Sequence, residues 1–319
     1  MNAPALSSIR EAQGRLKDII HDTRLVSSQS LSRLAQAEVK FKPENLQITG
    51  SFKIRGAFNK MAQVKASGAP GVVTASSGNH GQAVAWAARY FGLDAHVVVP
   101  VTAPEIKIRA AKDFGAKVES YGTQSRERLL RAQQLAEALG YVFVPPYDDP
   151  AIMSGQGTIG LEILREWPEV DTVLVPIGGG GLISGISTAI KESHPQIRVI
   201  GVEPEGAAKA YRSRQEGQRV ELAQADSIAD GLIALSLGKL TYPIVEHYVD
   251  ELVTVSDSDI RTAFWHLFSR LKMVVEPSGA ATAAYLLAHG PTSLKGRRVV
   301  AVLSGGNVDP RTVAQLVIS

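Results

Sequence analysis

From residue 71 onward the chain alternates short apolar, β-branched runs with amphipathic stretches closed by glycine. Residues 71–75 read as a strand, 79–91 as a helix with Gly92 behind it, 95–100 as a strand, and 104–114 as a helix closed by Gly115. The alternation continues through strand 116–121, helix 125–139 with Gly140 after it, and strand 141–145. Glycine suits these closing positions because helices commonly end on a residue in the left-handed region. A second series follows, with helix 158–165, strand 172–176, helix 182–192 and strand 198–203. It ends in strand 252–255, a helix starting at Ser256 with Asp259 three residues on, helix 277–288 and strand 298–303. Strands separated by helical crossovers pair in parallel, so the pattern predicts an α/β protein with two open, mostly parallel sheets.

Ahead of this series, Ser8-Ile9-Arg10-Glu11 has the form of a capping box, and Leu16, Ile19 and Ile20 follow at helical spacing. Val39 and Phe41 alternate with Lys40 and Lys42, the period of a strand with one face buried and its lysines turned to water. A loop over 43–50 then delivers Lys53 to the start of a helix, while 222–242 has no clear period and reads as irregular. A chain of 319 residues exceeds the size at which one core stops growing. The predicted division is a large discontinuous domain, 1–66 with 148–319, and a small α/β domain, 67–147, inserted into it. Ligands of open α/β sheets lie beyond the carboxyl ends of the strands, so the site is expected in the cleft between the two.

Composition narrows the class of function. Apolar residues make up 45% and mean hydropathy is +0.02, which indicates a soluble, globular chain. The formal charge is only +3 and no block of like charges stands out, so neither nucleic acid nor membrane is indicated as a partner. With no cysteine there are no disulfides and no thiolate metal sites. No apolar run reaches membrane-spanning length, and the first residues lack a basic start followed by an apolar segment, so a cytoplasmic location is expected.

Three stretches carry candidate chemistry. Lys53 lies between Phe52 and Ile54, where burial would lower an ammonium pKa and free the amine as a covalent anchor; alone, such a lysine is far more often a solvated surface charge. Pro176-Ile177-Gly178-Gly179-Gly180-Gly181-Leu182 follows a strand and opens a helix, which aims backbone N–H groups and the helix dipole at an anion. The run matches neither nucleotide fingerprint, and a lone phosphate suits it better. Thr74-Ala75-Ser76-Ser77-Gly78-Asn79-His80-Gly81-Gln82 occupies another strand-to-helix handover, where Ser77 or Asn79 could equally be an ordinary N-cap.

Together with Leu303-Ser304-Gly305-Gly306-Asn307, these stretches resemble the tryptophan-synthase-β-like, fold type II family of pyridoxal-phosphate enzymes, and within it the serine/threonine dehydratase and serine racemase branch. The likeness runs through nearly the whole chain. One departure is Thr23-Arg24-Leu25, where the family has Thr-Pro-Leu. The resemblance implies that Lys53 anchors pyridoxal phosphate, that Phe52 packs on its ring and that Asn79 bonds the ring oxygen. It also implies that Gly178, Gly179, Gly180, Gly181 and Leu182 hold the phosphate. Ser304 would face the pyridine nitrogen with a hydroxyl, which leaves that nitrogen largely neutral and favours loss of a β-leaving group over transamination. Ser77 would be a second acid/base across the ring from Lys53, and Ser76, Ser77, Gly78 and His80 would hold the substrate carboxylate, with a satisfied structural histidine as the other reading of His80. Arg126 matches an arginine that can reach substrate in serine racemases, and as an exposed helix-start charge it could equally be inert.

Tyr147 stands where dehydratases often have Phe, and Ala234 replaces a racemase serine; both lean toward a dehydratase. The expected function is therefore an ammonia-lyase acting on L-threonine, L-serine or both, as a homodimer. The rivals are a serine racemase with eliminase side activity, a 3-hydroxyaspartate dehydratase and, in another class, a non-enzymatic small-ligand-binding α/β protein. The positions matching the family's divalent-cation site are Glu203, Ala207 and Lys209. A lysine there both removes a ligand and repels a metal, so no metal is expected and the Lys209 ammonium stands in for it; the alternative is that Lys209 points into solvent and a water completes the metal shell.

Overall fold

The computed structural model describes residues 4–318 apart from 77 and 104. Among the described residues the strands are β1 (Val26–Ser27), β2 (Glu38–Pro43), β3 (Gly71–Ala75), β4 (Asp94–Val99), β5 (Lys117–Ser120), β6 (Val142–Phe143), β7 (Thr172–Pro176), β8 (Arg198–Pro204), β9 (Glu251–Val255) and β10 (Arg298–Leu303). They form a six-stranded sheet in the order β1-β2-β10-β7-β8-β9 and a four-stranded sheet in the order β5-β4-β3-β6. Every pairing is parallel except that of β1 with β2. The fold is thus α/β with parallel-rich sheets.

Central strands of the large sheet are buried on both faces, and alternation along β10 shows how. Val299, Ala301 and Leu303 join the core with Phe41, Phe264 and Tyr285, whereas Val300 and Val302 join Ile163, Ile183 and Ile186 on the other side. Helices therefore cover both faces. On the small sheet, helix Asn79–Phe91 packs one face, together with the apolar stripe Ile54, Ala57, Phe58, Met61 and Val64 of helix Lys53–Ala66. The lysine-bearing helix thus shares the small sheet's core although it precedes that sheet in sequence.

Most elements stand within a residue or two of the positions their periodicity predicts, and Gly92, Gly115 and Gly140 adopt the expected left-handed conformation with φ of 63°, 93° and 63°. Five readings need correction. Ser8 is not an N-cap: the first helix runs Leu6–Leu16, and the Ser8 hydroxyl donates to Ala5 O at 2.7 Å from inside the first turn. Lys42 does not face water, because its ammonium is buried between Thr23 O and Glu162 Oε2, each at 2.6 Å. The helix read as 158–165 begins at Pro150, capped by Asp149, and ends at Glu166. Its glycines hid it, since glycine weakens helical signal. They are there for a close helix crossing: a Cβ on Gly157 would stand 2.8 Å from Gly185 O, and one on Gly185 would stand 2.3 Å from Met153 O. Finally, helix Thr241–Tyr248 begins within the stretch read as irregular, and strand 141–145 shrinks to Val142–Phe143.

Candidate active site

Strand ends of both sheets converge on a cleft of about 990 Å³. The end of β10 brings Ser304, the end of β7 the glycine run, the end of β3 Ser76, Gly78, Asn79 and His80, and the lysine-bearing helix Phe52 and Lys53.

Lys53 is held by its surroundings on both sides in sequence. Phe52 N donates to Ser304 O at 3.1 Å, and Ser51 bridges Gly305, so the helix start is tied to the end of β10. Two residues on, Arg55 is wholly buried and pairs with Glu44 at 2.7 Å and Glu162 at 2.6 Å, with Lys42 completing a neutral quartet. Thr23 donates its hydroxyl to Glu44, while the Arg24 side chain is 79% exposed. That explains why the loss of proline at 24 is tolerated: the threonine is the anchored residue. The Lys53 amine donates to Pro146 O at 2.8 Å and lies 5.0 Å from the Phe52 ring centre. Burial pushes its pKa down to about 8, with the Glu276 carboxylate partly opposing the shift. Such an amine is a competent nucleophile near neutrality.

The glycine run has no room for side chains. A Cβ on Gly179 would lie 2.3 Å from the Tyr147 ring, and one on Gly178 would lie 2.9 Å from Gly231 O. Gly180 combines φ of 95° with a Cβ position 2.7 Å from Thr241 Oγ1. The run caps helix Gly181–Lys191, so its N–H groups and the helix dipole face an anion site, and the buried Leu182 lines the cleft beside it. Tyr147 reaches the cleft wall, but its ring rests on Gly179 and braces the loop. Burial raises the phenol's pKa, so it stays neutral.

At the end of β3, Ser76 Oγ accepts from Gly78 N at 3.3 Å. Asn79 opens helix Asn79–Phe91, and its amide donates to Glu276 Oε1 at 2.7 Å. Ser77, expected to act across the ring, lies outside the described residues. His80 is buried, its Nε2 is 3.3 Å from Val144 O, and its Nδ1 has no partner among the described residues. Because a carbonyl only accepts, Nε2 carries the proton and Nδ1 is an acceptor. Burial, and then the Lys53 charge, push the imidazole down to about 3. An uncharged ring with only a lone pair to offer favours the reading of the His80 side chain as a structural histidine.

Arg126 stands apart from the cleft lining. It is exposed at the start of helix Ser125–Leu139, away from the cleft wall, whereas Arg128 of the same helix lines it. Two residues turn a helix by roughly 200°, enough to exchange outside for inside. Ala234 lines the cleft as well. Sequence reasoning missed Glu276 and Asn307, whose amide donates to Asn79 Oδ1 at 2.7 Å. Glu276-Pro277 reads only as a helix start, although a glutamate beside a first-turn proline with no partner in sequence is the available signal.

At the positions matching a cation site, Lys209 Nζ lies 2.8, 3.1 and 2.9 Å from the carbonyl oxygens of Ile177, Ala207 and Leu232 and 2.9 Å from Glu203 Oε1. Glu203 also accepts from Ala210 N and Tyr211 N, at the start of helix Lys209–Glu216. An ammonium at the centre of this oxygen set does not fit a second cation there. Burial lowers the Lys209 pKa against the opposing pull of Glu203.

Comparison with known proteins adds three findings. Residues 16–305 match the family model described as pyridoxal-phosphate dependent enzyme. The chain is 45% identical over 310 residues to an L-threonine ammonia-lyase of Geobacter sulfurreducens, covering 97% of this chain and 77% of that one. It is 42% identical over 314 residues to the catabolic L-threonine dehydratase of Escherichia coli, covering 98% and 95% of the two chains. Among solved structures, maize serine racemase superposes with a TM-score of 0.94 at 39% identity, covering 98% of this chain and 96% of the racemase.

Proposed function

This chain belongs to the family of pyridoxal-phosphate-dependent enzymes, and we propose that it is an ammonia-lyase converting L-threonine, L-serine or both to the 2-keto acid and ammonia. The observation that carries this reading is the buried Lys53 amine, pushed down to about 8, in one cleft with a glycine run that opens a helix. The names of the relatives at 42% and 45% identity support the lyase over its rivals.

The residues fit the cofactor. Side chains are excluded from the glycine run, so Gly178–Gly181 and Leu182 would bind phosphate through N–H groups, while Phe52, Asn79 and Ser304 would hold the ring. When bound, the cofactor supplies an electron sink conjugated to the substrate Cα. The Lys53 amine, once free, would take the Cα proton. Ser304 would offer the pyridine nitrogen a hydroxyl, which favours elimination, and the β-hydroxyl would leave as water with the proton that Lys53 took from Cα. The Ser76 hydroxyl and the first N–H groups of helix Asn79–Phe91 would hold the substrate carboxylate, since Ser76 N and Gly78 N already donate to Val98 O and Ser76 Oγ, and the released enamine hydrolyses to keto acid and ammonia.

A second reading, racemization alongside elimination, is favoured by the likeness to maize serine racemase. Ser77 would be the second proton carrier, and Ser77→Ala would then suppress racemization while sparing elimination of the L-substrate. The same proposal includes a cytoplasmic homodimer. No helix of the described residues is long and apolar enough to cross a membrane. The test is keto-acid release from serine, threonine and 3-hydroxyaspartate in both enantiomers. Fastest turnover of L-threonine or L-serine supports the reading; turnover confined to 3-hydroxyaspartate would replace it.

A further inference from the structure

Glu276 occupies the N-cap position of helix Pro277–Ser293, yet its side chain makes no capping bond to that helix. Oε1 instead accepts from Asn79 Nδ2 at 2.7 Å, a contact between the helix behind the large sheet and the helix on the small one. The other end of that amide is engaged too. Asn79 Oδ1 accepts from Asn307 Nδ2 at 2.7 Å, and Asn307 Nδ2 also donates to Thr49 O at 2.8 Å. With an acceptor on one side and a donor on the other, the amide has one rotation: reversing it would set oxygen against carboxylate and N–H against N–H. The backbone is shaped around this arrangement. A Cβ on Gly305 would stand 2.5 Å from Glu276 Oε1 and 3.1 Å from Asn79 Nδ2, and one on Gly50 would stand 2.3 Å from Asn307 Oδ1. A carboxylate that is only 7% exposed is costly to bury, so its retention at this point of the cleft calls for a reason beyond capping.

We propose that Glu276 is a positioning residue of this site: it fixes the rotation of the Asn79 amide toward the bound cofactor and sets a carboxylate charge beside Lys53. The proposal rests on the cofactor reading above. Several groups face the Lys53 amine. Glu276 approaches from the start of its helix, neutral His80 and the Phe52 ring from theirs, and the Pro146 carbonyl from the segment after β6, while the un-ionised Tyr147 shares the cleft wall. Arg128, Asp230, Asp309 and Arg311 share the cleft wall. Among these, Glu276 is the group whose charge opposes loss of the ammonium.

Two substitutions separate the roles. Glu276→Gln removes the charge and keeps an acceptor within reach of Asn79; Glu276→Asp keeps the charge and withdraws it by one methylene. The full chain loaded with pyridoxal phosphate is titrated from roughly pH 6 to 10 while its visible absorbance is followed. Removing a nearby negative charge disfavours the protonated form of the lysine linkage, so the midpoint should fall by roughly one pH unit in Glu276→Gln. In Glu276→Asp the midpoint should hold while kcat drops roughly tenfold at little-changed KM. A purely structural Glu276 would lower the melting temperature without moving the midpoint. An unchanged midpoint in Glu276→Gln overturns the charge role, and an unchanged kcat in Glu276→Asp overturns the orienting role, even if the glutamine variant fails to fold. Lack of any borohydride-sensitive absorbance in the unaltered protein would instead remove the cofactor reading and this proposal with it.

Discussion

Lys209 Nζ stands 2.9 Å from Glu203 Oε1 with both side chains wholly buried, and this pair sits directly under the glycine run through the Ile177 carbonyl. The ammonium is proposed to do here what a bound cation would do. Activity and melting temperature should then be indifferent to EDTA and to added Mg²⁺ or Ca²⁺. Lys209→Met would strand the Glu203 charge and should cost about 3–5 kcal/mol by denaturant titration. Lys209→Asp should make activity depend on added metal. Loss of activity on chelation of the unaltered protein, restored by Mg²⁺, would refute this role.

His80 gives the chain an acid-sensitive point. Its folded pKa, about 3, lies below the ordinary 6.5, so the unfolded chain binds more protons between those values. Stability contributed by the neutral ring is therefore intact above about pH 6.5 and is lost as pH falls toward 3. His80→Gln, which cannot charge, should show a shallower decline of melting temperature across that interval. Parallel declines in the two proteins would show that some other group carries the acid limb.

Gly180→Ala adds a Cβ where φ is 95° and Thr241 Oγ1 would be 2.7 Å away. Strain of about 1–3 kcal/mol should appear as a lower melting temperature and as faster loss of cofactor on dialysis. Unaltered retention of cofactor would argue that phosphate is held elsewhere.

Arg55→Met leaves Glu44 and Glu162 facing each other with only Lys42 between the pair of charges and the core. Destabilisation should reach about 3–5 kcal/mol in urea, and combining it with Glu44→Leu should recover part of that loss, since a stranded buried carboxylate costs more than an absent pair. A double variant no more stable than Arg55→Met would count against this reading.

Sequence legibility followed the physics of each signal. Strands β3, β7 and β10 and helix Asn79–Phe91 were readable because their apolar runs and closing glycine are local. The glycine run at 178–181 was readable because few turns need so many glycines in succession. Glu276 was not readable, because its partner Asn79 lies 197 residues away and its own neighbours describe only a helix start. Lys42 looked solvent-facing because alternation reports which side a residue is on, not what waits there; Glu162 was waiting. Arg126 and Arg128 differ only by helical phase, which two residues of uncertainty in a helix start erase.

Keto acid released from L-threonine or L-serine by the purified protein, measured with pyridoxal phosphate present and compared with Lys53→Ala, bears most directly on the proposed chemistry. The unaltered protein should be yellow, lose its colour to borohydride, and release keto acid and ammonia in equal amounts. Lys53→Ala should keep its fold and lose the colour, and its activity should fall by more than the roughly 10²- to 10⁴-fold expected for a lone acid or base, because the covalent anchor goes as well. Borohydride-sensitive colour or undiminished keto-acid release in Lys53→Ala would contradict the assignment of Lys53.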